Sequence, residues 1–225
     1  MNRRTMILGG VALVGLGGWA VSRQMGPSST QITPLAGAAN AQTSNADVDT
    51  SGVQDMVMGD ADAPVTIIEY ASYTCPHCAN FHNEVFKKLK ADYIDTGKVK
   101  FVYREVFFDR FGLWASMVAR CGGPEKFFGI ADLIYKGQSE WTRAGEPAAI
   151  VEELRKIGRL AGLNNETLDE CLQDASSAET LVAWYEQNAK DDDITSTPSF
   201  IIDGKKQSNM AYDDMKKIID AALES

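Results

Sequence analysis

The chain has 225 residues, the size of one domain with room for an insertion, and 44% of them are hydrophobic, enough for a packed core. Acids outnumber bases, 31 Asp and Glu against 22 Lys and Arg, for a formal net charge of −9. Arg3, Arg4 and Arg23 sit in an N-terminal stretch without acids, so the remainder is more acidic still; it would repel phosphates, which excludes nucleic acid as a partner.

Residues 1–25 read as an address. A basic start leads into an apolar run from Thr5 to Val21, long enough for an export signal or a short membrane anchor. Gly9, Gly10, Gly15, Gly17 and Gly18 lower its hydrophobicity and favour the signal. The small-residue patterns Ala36-Gly37-Ala38 and Ala39-Asn40-Ala41 lie far downstream, which keeps the anchor open. On either reading the domain is exported, and a periplasmic location is expected. There, four cysteines are expected in disulfides rather than as free thiols. Residues 26–58 are rich in Ser, Thr, Ala, Gly and Asn and read as a flexible linker, with the ordered domain over 59–223.

Val65 to Tyr70, "VTIIEY", is short, β-branched and apolar, the pattern of a buried strand. A turn follows, then Cys75-Pro76-His77-Cys78. From Cys75 the apolar spacing becomes helical, with Phe81, Val85 and Leu89 on one row and Phe86 beside it. Lys98 to Val106 is a second strand, so the segment reads as a right-handed βαβ unit with parallel strands. A helical region spans about 110–190. It is broken by "GGP" at Gly122-Gly123-Pro124, and one of its helices is expected to be capped by Asn165. "TPSFIIDGKKQ" is a strand, an Asp203-Gly204 turn and a second strand, and "YDDMKKIIDAAL" closes as an amphipathic helix. Trp114, Phe127, Phe128 and Trp184 are read as core.

The Cys75–Cys78 pair has a chemical reason to stand between a strand and a helix. A helix N-terminus offers unpaired N–H groups and partial positive charge, which stabilise a thiolate. Cys75 takes that position and Cys78 lies one turn further in. His77 can donate to the Cys75 sulfur or place charge beside it, which again lowers the thiol pKa. A low thiol pKa favours the reduced pair, so the disulfide tends to be given away. Glu69, in an otherwise apolar strand, is placed to accept the Cys78 proton during exchange; the competing reading is a solvated, edge-facing glutamate. Two other readings of the cysteines stay open. One is a metal site using Cys75, Cys78 and His82 with His77, against which no second ligand pair follows at finger spacing; the other is a purely structural loop disulfide.

"CPHC" after a buried strand, a βαβ unit, a helical insertion and then "TPSFIIDGK" together resemble the DsbA family of thiol:disulfide oxidoreductases, over about residues 60–223. The resemblance implies an α/β thioredoxin fold (βαβ…ββα) with a helical domain inserted between its halves. It implies that Cys75 is the nucleophile and Cys78 the resolving cysteine, with Pro198 a cis-proline facing them after Thr197. The substrates would be exported proteins with free thiols, the reoxidant a DsbB-like membrane partner, and no soluble cofactor is required. Cys121 and Cys171, both in the insertion, are expected to form a structural disulfide, with two buried thiols as the alternative. The chain is expected to act as a monomer. The remaining alternatives are an isomerase or reductase on the same fold and a metal-binding carrier. Isomerases of this kind dimerise through an added N-terminal module, and residues 26–58 are too polar for one.

Overall fold

The computed structural model describes residues 48–225; the address segment and most of the expected linker lie outside the described residues. Among the described residues five strands form one sheet: β1 (Met56–Met58), β2 (Val65–Ala71), β3 (Val99–Glu105), β4 (Ser199–Ile202) and β5 (Lys205–Ser208), in the order β1-β3-β2-β4-β5. β2 is central because its side chains are buried on both faces, Val65, Ile67, Tyr70 and Ala71 completely. It runs parallel to β3, in register from Val65 with Val99 to Ala71 with Glu105, and antiparallel to β4, from Ile67 with Ile202 to Tyr70 with Ser199. This is the thioredoxin fold, assembled from the βαβ unit and the closing ββα unit. The β4–β5 hairpin turns at Asp203 and Gly204, with φ of 46° and 74°, the left-handed pair that a two-residue hairpin requires.

The linker expectation fails at its end. Met56–Met58 joins the sheet as an edge strand antiparallel to β3, with Met56 buried. Just before it, Asp55 accepts two hydrogen bonds from the half-buried Arg104 guanidinium, at 2.9 and 3.0 Å. A three-residue strand whose pairing and flanking ties all come from residues far along the chain gives no periodic signal in a polar segment.

The helical run after Cys75 is not a uniform α-helix. α1 (Pro76–Asn80) and α2 (Phe86–Leu89) alternate with π turns at Phe81–Val85 and Lys90–Ile94. In the first π turn the Phe86 N–H reaches the Phe81 carbonyl, and the inserted residue lets Phe81 and His82 both face inward.

The insertion comprises α3 (Arg110–Cys121), α4 (Gly123–Lys136), α5 (Gln138–Trp141), α6 (Pro147–Leu160), α7 (Asn165–Gln173) and α8 (Ala175–Asp191); α9 (Tyr212–Leu223) then packs on the sheet. The Asp109 carboxylate caps α3 by accepting from the Phe111 and Gly112 N–H groups. Asn164, not Asn165, caps α7: its side chain accepts from the Thr167 N–H while Asn165 already has helical geometry. Two adjacent asparagines offer the same chemistry, and only backbone geometry separates them. α6 and α7 approach closely at Gly158, where a Cβ would stand 2.6 Å from a Leu168 methyl. Cys121 and Cys171 are joined by a disulfide with Cα atoms 5.8 Å apart, tying α3 to α7. Also on α3, Arg120 donates to both oxygens of the buried Glu105 at 2.6 and 2.7 Å, and Ser116 donates to one of them at 2.9 Å, so the insertion is fastened to β3. Trp114, Phe127 and Trp184 are buried and Phe128 packs against the core. Among the described residues, no helix is long and apolar enough to cross a membrane.

Candidate active site

The β2–α1 junction places the cysteine pair. Cys75 is the N-cap of α1, in extended conformation, with Pro76 opening the first turn. Its side chain is nearly covered, while Cys78, one turn on, is completely buried. Both are free thiols. The antiparallel register, ending with Tyr70 opposite Ser199, brings the residues just before β4 alongside the cysteine loop. The Thr197–Pro198 peptide there is cis, and the Thr197 carbonyl lies 3.5 Å from the Cys75 sulfur.

The two thiols are driven apart electrostatically. A hydrogen bond from the Cys78 thiol, more than any other contact, lowers the Cys75 pKa to about 5. Thr197 and the backbone N–H groups of Cys78 and His77 add to this, against the opposing effect of burial. Burial, above all, pushes the Cys78 thiol far up, and the hydrogen bond to Cys75 and the negative charge of Glu69 push the same way. At neutral pH one sulfur is therefore a thiolate and its partner holds its proton. That gives one good nucleophile and leaving group and one thiol that needs a base before it can attack.

His77 acts here through its main chain. Its side chain is exposed, and the N–H aimed at Cys75 is the backbone one, as expected of any residue at this point of a helix. Glu69 is not at a solvated edge: it is fully buried in the central strand, opposite Tyr103 on one side and Phe200 on the other. One of its oxygens is 2.8 Å from His82 Nε2, and the other is buried without a hydrogen-bond partner. His82, itself buried, stacks on Tyr135 with ring centroids 4.2 Å apart. The Tyr135 and Tyr103 hydroxyls are 2.7 Å apart, and the Tyr73 ring packs against both. Burial raises the pKa of all three tyrosines well above 10, so none gives up a proton at physiological pH. The Glu69–His82 pair is the ionisable centre beneath the cysteines. The sequence offered His82 only as a metal ligand; the structure turns it inward to Glu69, and among the described residues no three His, Cys, Asp or Glu side chains are arranged to hold a metal ion.

Comparison with known proteins places the chain in a family. A family profile described as thioredoxin matches residues 51–221. A Bacillus subtilis protein, "disulfide bond formation protein D", is 30% identical over 75% of this chain and 77% of its own length. The chain belongs to the DsbA branch of the thioredoxin family. A Rickettsia bellii protein described as a protein-disulfide oxidoreductase is 37% identical over 76% of this chain; the chain spans 65% of that relative's length. Among solved structures, alpha-DsbA1 of Wolbachia pipientis superposes with a TM-score of 0.69 at 29% identity, covering 76% of this chain and 92% of that one. Oxidised BdbD from Bacillus subtilis gives 0.68 at 26% identity, covering 76% and 94%.

Proposed function

We propose that this DsbA-branch protein is a thiol:disulfide oxidoreductase that donates the Cys75–Cys78 disulfide to exported proteins in the periplasm. The observation that carries the reading is the geometry of the pair: Cys75 at the N-cap of α1 beside Thr197, and Cys78 fully buried one turn on, which lowers the Cys75 pKa and raises that of Cys78. Stabilising the Cys75 thiolate stabilises the reduced enzyme, which makes the disulfide oxidising.

A substrate thiolate attacks the Cys75 sulfur of the oxidised pair. The Cys75–Cys78 bond breaks, and Cys78 leaves into a buried setting where it takes up a proton, with the Glu69–His82 pair as the ionisable groups on hand. A second substrate thiol, deprotonated, attacks the substrate sulfur of the mixed disulfide. Cys75 leaves as a stable thiolate, and the substrate carries the new disulfide. Thr197, beside Cys75, presents backbone that an extended peptide can pair with as an added strand, and Pro198 holds that backbone against the cysteines. For the next cycle a DsbB-like membrane partner withdraws two electrons. The chain works as a monomer, and no soluble cofactor enters. Residues 1–25 deliver or anchor it, residues from 26 onward lead into the domain, and the Cys121–Cys171 bond braces the insertion.

The test is the reduction potential of the Cys75–Cys78 couple, equilibrated against glutathione. A value near about −120 mV is expected, and one near about −270 mV would identify a reductant instead.

A further inference from the structure

One buried polar side chain outside the reacting groups reaches the catalytic loop from the insertion. Gln138 opens α5, a short helix tied down at both of its ends. The Thr142 hydroxyl donates to the Gln138 carbonyl at 2.6 Å, and the Trp141 ring N–H donates to the Ile134 carbonyl at 3.0 Å. From this anchored base the Gln138 amide nitrogen donates to the Tyr73 carbonyl at 2.7 Å and to the Cys75 carbonyl at 2.9 Å. Both partners are carbonyls, which accept only, so the orientation of the amide is dictated: its NH2 must face the loop. We propose that Gln138 is a positioning residue for Cys75, a clamp through which the helical insertion sets the geometry that stabilises the thiolate.

The Cys75 carbonyl is also the first acceptor of the helical run, taking the Ala79 N–H at 3.1 Å. Holding it fixes the first turn, and the first turn carries the His77 and Cys78 N–H groups that favour the Cys75 thiolate. The Tyr73 carbonyl, on the other side of Thr74, has its orientation set by the same amide. Other ties of the loop grip other atoms: the Cys75 N–H donates to the Ser72 carbonyl at 3.1 Å, the Thr74 N–H to the Ser72 hydroxyl at 3.4 Å, the Ser72 and Thr74 hydroxyls are 3.2 Å apart, and the Thr74 hydroxyl donates to Asp109 at 2.9 Å. None of these fixes the two carbonyls. The groups that face the Cys75 sulfur are the Cys78 thiol, Thr197 and the two backbone N–H groups, and Glu69 acts on it through Cys78. None of these is touched by changing Gln138, so an effect on Cys75 must pass through the backbone.

The inference deepens the proposed function and rests on it. Its test is Gln138→Leu in the full chain, which keeps the volume and removes both donors, with Gln138→Met as a second variant that fits a different packing. Thiolate formation is followed by absorbance at 240 nm against pH, and the equilibrium with glutathione is measured on the same samples. The expected result is a Cys75 titration about one pH unit higher and a redox equilibrium shifted about tenfold towards the disulfide. A folded variant whose titration and equilibrium both stay within twofold of the wild type overturns the proposal, even if it melts earlier, because Gln138 would then only pack. Should neither variant fold, the wild type still decides: the Gln138 side-chain amide protons, observed by NMR, should shift with the titration of Cys75, and fixed resonances overturn the clamp. Failure of the donor reading looks different: the wild type itself would fall in the reductant range, whatever Gln138 does.

Discussion

Reduced protein should lose an increment of stability on acidification that the Cys75→Ser variant lacks. The Cys75 thiol is held at about 5, against an ordinary value of 9.0. A thiol whose pKa falls on folding stabilises the fold fully above its unfolded pKa, and that contribution is lost as pH falls through the folded value. At pH 7 the folded group is ionised and the unfolded one is not, a gap of two pH units worth about 3 kcal/mol. Solvent at the mouth of the site screens the charge, so about 2 kcal/mol is the figure to expect. Cys78 has the opposite sign. Its pKa is raised, so it contributes nothing to the pH dependence well below the ordinary value of 9.0 and subtracts stability above it, where the unfolded thiol ionises and the buried one does not. Urea unfolding of reduced wild type and reduced Cys75→Ser, followed by tryptophan fluorescence at pH 7.5, 6 and 4.5, isolates the Cys75 contribution. The carboxylates titrate in both proteins and cancel. The difference should shrink steadily and vanish by pH 4.5. A difference that stays constant over this range would refute the account of the thiolate.

Glu69→Gln keeps the shape of the buried centre and removes its charge; the attack of Cys78 on a mixed disulfide should slow by about a hundredfold, the lower end for a lost general base, read as accumulation of the glutathione adduct at Cys75 by mass spectrometry. A rate within a factor of two of the wild type would remove Glu69 from the mechanism. Replacing Cys121 and Cys171 together by Ala opens a crosslink between residues 50 apart, and urea unfolding should show a loss of about 2–4 kcal/mol. Arg120→Ala strands the buried Glu105 carboxylate and should cost about 3–5 kcal/mol in the same assay, whereas Glu105→Gln combined with Arg120→Met should recover much of it.

The core of the sheet was legible because β2 and β3 are short apolar runs rich in β-branched residues, and the longer helices because they carry 3.6-residue stripes. The cysteine pair was legible because "CPHC" sits between two such patterns, and "TP" before a strand marked the opposite wall. What escaped is instructive. His82 looked like a stray metal ligand, because its inward orientation depends on a π turn that no spacing rule announces. β1 escaped because Met56–Met58 gains its place from pairing with β3, with Asp55 tied to Arg104 beside it, both far along the chain. Gln138 carried no signal at all: a glutamine at the start of a four-residue helix is ordinary until its amide is found against the Cys75 carbonyl. Residues that act through a partner distant in sequence are the ones that local patterns cannot reveal.

The sulfur of Cys75 and the carbonyl of Thr197 are 122 positions apart, with the whole insertion between them. β2 reaches β4 only after that insertion has been made, so pairing in the middle of the sheet is among the last contacts available to a chain that lengthens from its N-terminus. A chain emerging through a narrow channel would present Cys75 and Cys78 early, on a strand and helix still lacking Thr197, and without Gln138 until the insertion follows. Cys75 would already have Cys78 and the N–H groups of its own helix, but not yet the Thr197 contact. The setting of the pair would be complete only when about the last eighth of the polypeptide, from Thr197 on, closes over cysteines that had long been waiting in the open.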